Sequence, residues 1–229
     1  MAAVSRRIPA PVLLCAALLA GCGGGDKNAS PATTRSAPAA AAAPAPAGCT
    51  TVKAPAPKGE QHLKAATAPV PAGSTVVLKT SCGDIEIRLA TARSPKTDAA
   101  FAGLVKRGFY DGLTFHRIVP GFVIQGGDPL GDGQGGPGYT VTEKPSSQLR
   151  YTVGSVAMAK TQSDPPGASG SQFFIVTGAQ AAALPPDYAL LGRVTKGMDA
   201  AKAIEKVPAD DQGAPSTPVV IEKATLRTG

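Results

Sequence analysis

The run FHRIVPGFVIQGGD, residues 115–128, decides the fold of this chain together with a second run, GSQFFIV, residues 170–176. Polar and apolar residues alternate at the start of the first run, which is the pattern of a half-buried β-strand. The alternation places Arg117 on one sheet face with Phe115 and Val119. A charge on an apolar face is costly to desolvate without a partner, on the order of several kcal/mol. The pattern alone favours a structural ion pair for Arg117, and a guanidinium aimed at a ligand is the alternative.

These two runs resemble the signature of the cyclophilin family of peptidyl-prolyl isomerases, an FHRxxPGFxxQGGD block followed downstream by a GSQFF block. The match is specific because many residue types are fixed over two separated blocks. The resemblance extends from Thr75 to Leu226. It includes four further segments: GDIEIRL at Gly83–Leu89, KRGFYDGLTFHR at 106–117, SVAMAK at 155–160 and GRVTKGMD at 192–199.

Residues 75–229 are enough for one domain with a sizeable core and too few for two. Two helices are predicted, one from Ser94-Pro95 to Gly108 and one from Met198 to about Lys206. Many short strands with two helices suit a mainly β fold. The resemblance implies a closed eight-stranded antiparallel β-barrel with a helix covering each open end. The strand signals are residues 76–79, 85–89, 113–119, 122–125, 156–159, 173–177, 190–194 and 219–226.

The first residues carry an export signal. Arg6 and Arg7 precede a short apolar stretch at residues 12–20, which is too short for a stable membrane-spanning helix. The LAGC sequence that ends at Cys22 resembles the bacterial lipobox. It implies that residues 1–21 are removed and that Cys22 is lipidated. An ordinary secretory signal with an incidental cysteine is the alternative.

Residues 22–74 are rich in alanine and proline and show no sustained period. Such a segment buries too little apolar surface to offset its ordering entropy, so we predict a flexible tether between a lipid anchor and a domain at residues 75–229. The expected location is extracytoplasmic, on the cell membrane. The formal charge of +7 is spread along the chain without a basic run or an array of aromatic residues, which argues against nucleic-acid binding.

Signal cleavage would remove Cys15 and lipidation would modify Cys22, so Cys49 and Cys82 are the two cysteines that remain. Export to an oxidising compartment invites a disulfide between them. Closing this loop contributes roughly 3 to 4 kcal/mol on the chain-entropy model. The sequence cannot bring the two sulfurs together, so the bond and two free thiols remain equal alternatives.

The resemblance implies a reaction, the rotation about an Xaa-Pro peptide bond, that makes and breaks no covalent bond. It needs no nucleophile, metal or cofactor. Arg117 is expected to donate a hydrogen bond to the prolyl nitrogen as the amide twists, and Gln125 to orient the arginine. The other residues at matching positions are expected to bind the peptide: Phe122, Val123, Ala159, Lys160, Gln172, Phe174, Leu184 and Tyr188. Core packing is the alternative for the apolar members of this set.

Two other motifs have simpler explanations than catalysis. His116 alternates away from Arg117, and proton abstraction contributes nothing to a rotation, so a structural role is expected. The glycine-rich residues 126–138 lack the GK[ST] ending of a phosphate-binding loop and the ligand spacing of a calcium loop. They are expected to form a loop beside the pocket.

The chain departs from the family pattern in the pocket. Ala183 stands where eukaryotic members carry tryptophan, and Val123 replaces the usual methionine. Of these changes, Ala183 predicts weak cyclosporin binding. Both changes also keep a second function class open, a tethered peptide-binding or chaperone module with little catalysis, and an inert surface lipoprotein is a third. The expected partners are proline-containing segments of exported proteins, and we expect a monomer.

Overall fold

The computed structural model of the protein describes residues 48–229. The predicted signal at residues 1–21 and the lipidation site at Cys22 lie outside the described residues, as does the first part of the predicted tether. No helix within residues 48–229 is both long and apolar enough to cross a membrane.

Eight antiparallel strands form one strongly curled sheet, in the order β10-β1-β2-β9-β6-β8-β4-β3. Each of the eight predicted strand segments overlaps one of these strands, which confirms the mainly β fold. A separate pair, β5 and β7, is absent from the sequence-based prediction. The strands are β1 Thr75–Thr80, β2 Gly83–Leu89, β3 Phe115–Val119, β4 Val123–Gly126, β5 Val141–Thr142, β6 Ser155–Met158, β7 Ala168–Ser169, β8 Phe173–Val176, β9 Leu190–Lys196 and β10 Ile221–Arg227.

The sheet is an open half-barrel, so the prediction of a closed barrel is wrong. The edge strands β3 and β10 do not pair as a ladder. The described residues join these edges by an isolated bridge between Thr114 and Val220 and by a few backbone hydrogen bonds near it. Further along β3, the Ile118 N–H donates to the carbonyl of Gly213, which belongs to the loop before β10, at 2.7 Å.

Both predicted helices are present, α1 at Pro95–Lys106 and α2 at Met198–Glu205. Ser94 precedes Pro95 as predicted, but its side chain makes no capping hydrogen bond. The carboxylate of Glu143 accepts the Lys96 and Thr97 N–H groups instead, at 3.2 and 2.9 Å. A carboxylate at this end is favoured because the first N–H groups of a helix have no partner within it.

The main core lies inside the curled sheet, under the two helices. Four aromatic rings meet there with centroids 4.8 to 6.0 Å apart: Phe101 of α1, Tyr110, Phe115 of β3 and Phe173 of β8. The Tyr110 hydroxyl donates to the carbonyl of Ser171 at 3.0 Å. This bond satisfies a polar group that would otherwise be costly to bury.

The predicted alternation along β3 is wrong at one point. Phe115 and Ile118 both enter the core, although they are three residues apart. The pairing of β3 with β4 shifts register between Phe115 and Arg117, which leaves His116 as an extra residue in the bulge. A bulge reverses the side-chain alternation beyond it. Arg117 therefore does not share a sheet face with Phe115.

Residues 48–74, which we call the N-terminal arm, contain no helix or strand. The sequence predicts a free tether here, whereas in the structure the arm packs on the domain. A disulfide joins Cys49 to Cys82. The Lys58 ammonium donates to the carbonyls of Gly108 and Phe109 at 3.1 and 2.8 Å. Apolar side chains of the arm also pack against the main core. Together these contacts fix the arm on the domain, whereas a solvated coil would make no such contacts.

Candidate functional site

A second apolar cluster lies on the outer face of the sheet, and we call it the apolar groove. Alternation along the strands builds it: Val123 and Phe174 face outward, while their neighbours Ile124 and Ile175 enter the main core. Gln125 pairs with Phe174 across β4 and β8. The groove brings together six residues that the sequence assigns to peptide binding: Phe122, Val123, Ala159, Phe174, Leu184 and Tyr188.

Tyr151 fixes one wall of the groove, and sequence reasoning missed it because it lies outside every signature block. Its hydroxyl donates to the carbonyl of Tyr188 at 2.6 Å and accepts the Tyr188 N–H at 3.0 Å. Burial raises the pKa of Tyr151 to about 12, so the hydroxyl keeps its proton. The rings of Tyr151 and Tyr188 meet that of Phe174 edge to face, at 6.2 and 5.4 Å. This wall is rigid and aromatic.

Gln125 and Gln172 form a polar pair at the edge of the groove. The Gln125 amide nitrogen donates to the Gln172 amide oxygen at 2.9 Å. Gln172 in turn donates to the carbonyls of Gly133 and Gly135, both at 2.9 Å. The sequence assigns Gln125 to orienting Arg117, but within residues 48–229 the side chain of Gln125 hydrogen-bonds Gln172 and makes no hydrogen bond with the arginine. The acceptor oxygen of Gln125 remains for a guanidinium.

Arg117 lies directly opposite Gln125 in the β3–β4 ladder. Among residues 48–229, no carboxylate oxygen lies within 4.0 Å of its guanidinium. Its aliphatic stem runs past Gly213, where an added Cβ would lie 3.0 Å from Cγ. The ion pair that the strand pattern favoured is therefore not formed within the described part of the chain, and the charged end is left for a ligand.

A cavity of about 670 Å³ adjoins this polar pair. Four residues of the predicted site line it: Gln125, Ala159, Lys160 and Gln172. The Lys160 ammonium donates to the carbonyls of Thr161 and Asp164, both at 3.1 Å, and lies 5.7 Å from the centroid of the Tyr188 ring. These bonds hold the segment that the resemblance places along a bound peptide.

The N-terminal arm forms another wall of the same cavity through Glu60, Gln61 and His62. Hydrogen bonds clamp this stretch at both ends. The Lys58 N–H donates to the carbonyl of Pro129 and the Leu63 N–H to that of Pro137, each at 2.8 Å. Sequence reasoning missed this wall because the composition of the arm predicts only coil.

The surroundings of His116 and Asp128 indicate structural roles and not catalytic ones. Both ring nitrogens of His116 are buried without a hydrogen-bond partner among the described residues, and burial lowers its pKa, which favours the neutral ring. The Asp128 carboxylate accepts the N–H groups of Leu130 and Gly133 and so shapes the glycine-rich loop. No group of three or more metal-ligating side chains comes together within residues 48–229.

Comparison with known proteins matches this chain to one family. A family model described as cyclophilin type peptidyl-prolyl cis-trans isomerase/CLD matches residues 75–226. The chain is 38% identical to peptidyl-prolyl cis-trans isomerase A of Mycobacterium tuberculosis, over 67% of this chain and 92% of that protein. It is 40% identical to peptidyl-prolyl cis-trans isomerase ppi1 of Schizosaccharomyces pombe, over 66% of this chain and 97% of that protein.

A solved structure shares the fold. It is a cyclophilin type peptidyl-prolyl cis-trans isomerase of Cryptosporidium parvum, crystallised in the presence of the dipeptide Ala-Pro. The TM-score is 0.63 and the identity 29%, with 68% of this chain and 99% of that chain covered.

Proposed function

We propose how this chain, which belongs to the cyclophilin-type peptidyl-prolyl cis-trans isomerases and is an isomerase enzyme, performs its reaction: Arg117 stabilises the twisted state of an Xaa-Pro bond held in the apolar groove. The observation that carries this proposal is an arginine without a carboxylate partner among the described residues, placed opposite Gln125 at the edge of an apolar cluster.

The first task is to hold the proline. The apolar side chains of the groove, with Phe174 at its centre, receive the ring, since burying apolar area is favourable at about 25 cal/mol per Å². The structure of the Cryptosporidium relative with Ala-Pro supports a proline-containing peptide as the ligand. Ala159 and Lys160 line the neighbouring cavity, and residues flanking the proline lie there.

The second task is to lower the barrier to rotation. Amide resonance makes the bond planar, with a rotational barrier of roughly 18 to 20 kcal/mol. As the bond twists, the prolyl nitrogen becomes pyramidal and regains a lone pair that the Arg117 guanidinium can hydrogen-bond. The planar ground state offers no such lone pair, so the interaction lowers the barrier instead of tightening binding. Gln125, through its free amide oxygen, orients the guanidinium. The reaction uses no metal or cofactor.

We place this activity outside the cytoplasm, on exported proteins. The predicted export signal at residues 1–21 and the lipobox-like sequence that ends at Cys22 support a lipid anchor. We further propose that the anchored chain is a monomer. A Cys22→Ser variant of the whole chain, expressed in its own cells, is expected to move from the detergent-extracted membrane fraction to the soluble exported fraction. Unchanged membrane association would contradict the anchor.

A second function, peptide binding with little catalysis, rests on the open side of the groove. Ala183 is exposed at the end of a short 3-10 helix, Ala179–Ala183, and offers no large side chain to the groove. Weak cyclosporin binding is expected for the same reason.

A protease-coupled assay of the whole chain with a short Xaa-Pro peptide separates the two functions. The proposal predicts acceleration above the uncatalysed rate, and a higher KM for Phe122→Ala, which removes a half-buried wall of the groove. Peptide binding by a folded chain without any acceleration would favour the binding module.

A further inference from the structure

Four arginines line a second cavity, of about 440 Å³, on the outer face of the sheet. We call it the arginine cavity. Arg88 comes from β2, Arg193 from β9, and Arg93 and Arg150 from the segments that follow β2 and precede β6. All four are exposed. They come from three separate stretches of the sequence, so the chain has no basic run that would reveal them.

The positive charge of this cavity is not neutralised by the protein. Arg88 and Arg193 are directly opposite each other in the β2–β9 ladder, an arrangement that is destabilising for like charges. Within residues 48–229, none of the four guanidinium groups has a carboxylate oxygen within 4.0 Å. The nearby Glu86 carboxylate lies 3.4 Å from Lys196 and 3.9 Å from Arg227.

The hydrogen bonds of these arginines go to neutral acceptors. Arg193 donates to the Thr152 hydroxyl at 3.0 Å and to the carbonyl of Val153 at 3.1 Å. Arg150 donates to the carbonyl of Leu149 at 3.0 Å. Such bonds fix the planar groups without cancelling their charge. A fixed guanidinium suits a carboxylate or phosphate, which it can bind through two parallel hydrogen bonds.

The arginine cavity borders the apolar groove. Leu149 lines the cavity and also packs against the groove. Phe174 pairs with Ala157, and Ala157 pairs with Leu190 of β9, the strand next to β2 in the sheet. Two strand spacings of about 4.8 Å separate β8 from β9, which carries Arg193, and three separate it from β2, which carries Arg88. With the offset along β9, these two residues lie roughly 12 to 18 Å from Phe174. An extended peptide covers that distance in roughly five residues, at about 3.3 Å each.

We propose that the arginine cavity binds an acidic segment of the same polypeptide whose proline occupies the apolar groove, about five residues away. This inference rests on the proposed function, because it extends the substrate along the outer face of the sheet. The cavity selects substrates by charge and takes no part in the bond rotation.

The test compares two peptides that differ only in charge. One carries three glutamates about five residues from the proline, and the other carries three glutamines. Versions with the charged block before and after the proline cover both chain directions. At low salt we expect kcat/KM to be about fivefold higher for one glutamate peptide than for its glutamine partner, since exposed charge pairs contribute little individually. High salt should remove the preference.

The double variant Arg88→Gln with Arg193→Gln is expected to lose the preference while it keeps wild-type turnover of the glutamine peptide, which also shows that it is folded. The control variant Lys64→Gln with Lys106→Gln removes two exposed charges outside the cavity and should keep the preference. Equal rates for both peptides with the wild-type chain would overturn the inference and leave the proposed function intact. No turnover of any peptide would instead overturn the proposed function.

The inference of an acidic peptide segment would also be overturned if the arginine cavity binds anionic lipid or free phosphate instead. If the wild-type chain shows no peptide preference but binds vesicles that contain anionic lipid, and the double variant does not, the cavity recognises a membrane surface. Binding of inorganic phosphate alone, with the same variant dependence and no peptide preference, would assign it to free phosphate.

Discussion

At the scale of single residues, two carboxyl groups at the start of α1 differ sharply in their surroundings. Glu143 accepts two helix N–H groups and is thereby stabilised. Asp98 is fully buried in the first turn, and neither of its oxygens has a hydrogen-bond partner within the described residues. Burial, and then the nearby Glu143, raise the pKa of Asp98 to about 8. Asp98 is therefore protonated in the folded protein at neutral pH.

This carboxyl group makes the stability fall as pH rises. The folded state holds the Asp98 proton more tightly than the unfolded state, whose pKa is 3.8, so its contribution is lost between pH 3.8 and about pH 8. Asp98→Asn cannot ionise. We expect the variant to gain stability relative to wild type across this range, by on the order of 5 kcal/mol at the upper end. Urea unfolding at several pH values measures the free energy of unfolding of both proteins. If this free energy depends on pH in the same way for wild type and Asp98→Asn, the raised pKa of Asp98 is contradicted.

At the scale of elements, the strands and helices were predictable because their signals are local. Short strand signals identify all eight strands of the large sheet, and a proline at the first helical position with a terminating glycine identifies α1. The bulge at His116 was not predictable, because an extra residue shows only against a partner strand. The arm was also missed. Many of its contacts are hydrogen bonds to backbone carbonyls of the domain, which leave no pattern in composition.

The disulfide between Cys49 and Cys82 is expected to stabilise the folded chain. It closes a loop between residues that are 33 positions apart. Replacing both cysteines by serine should lower the free energy of unfolding by roughly 3 to 4 kcal/mol on the chain-entropy model. Chemical denaturation of the exported protein measures the change. Adding reductant should lower the stability of wild type and leave the variant unchanged. Insensitivity of wild type to reductant would contradict the pairing.

The packing of the arm on α1 can be tested by one methyl group. Gly103 lies within α1, where an alanine normally stabilises by about 1 kcal/mol. A Cβ at Gly103 has no room here, because the side chain of Ala66 already occupies the space. We expect Gly103→Ala to destabilise the chain or release the arm.

Its matched control is the double variant Gly103→Ala with Ala66→Gly, which removes the collision. The double variant should recover stability, and the single variant Ala66→Gly should change it little. Thermal unfolding of the four proteins gives the coupling free energy. A Gly103→Ala variant that is simply more stable than wild type would show that the arm does not pack on this helix.

At the scale of the whole molecule, one curled sheet separates a structural face from a binding face. The inner face carries the aromatic core, and the outer face carries the apolar groove and the arginine cavity. The signature blocks made the groove predictable because most of its residues lie within them. Tyr151, the wall at residues 60–62 and the arginine cavity were not, since tertiary folding alone brings them to these surfaces.

The central claim is that Arg117 acts on the twisted state and not on peptide binding. The most direct test measures kcat and the peptide Kd separately, by NMR exchange and titration, for the wild-type chain and Arg117→Ala. We predict that kcat falls by about a hundredfold, as for the loss of one transition-state donor, while Kd stays within about threefold. An unchanged kcat, or a loss that appears only in Kd, would contradict the account.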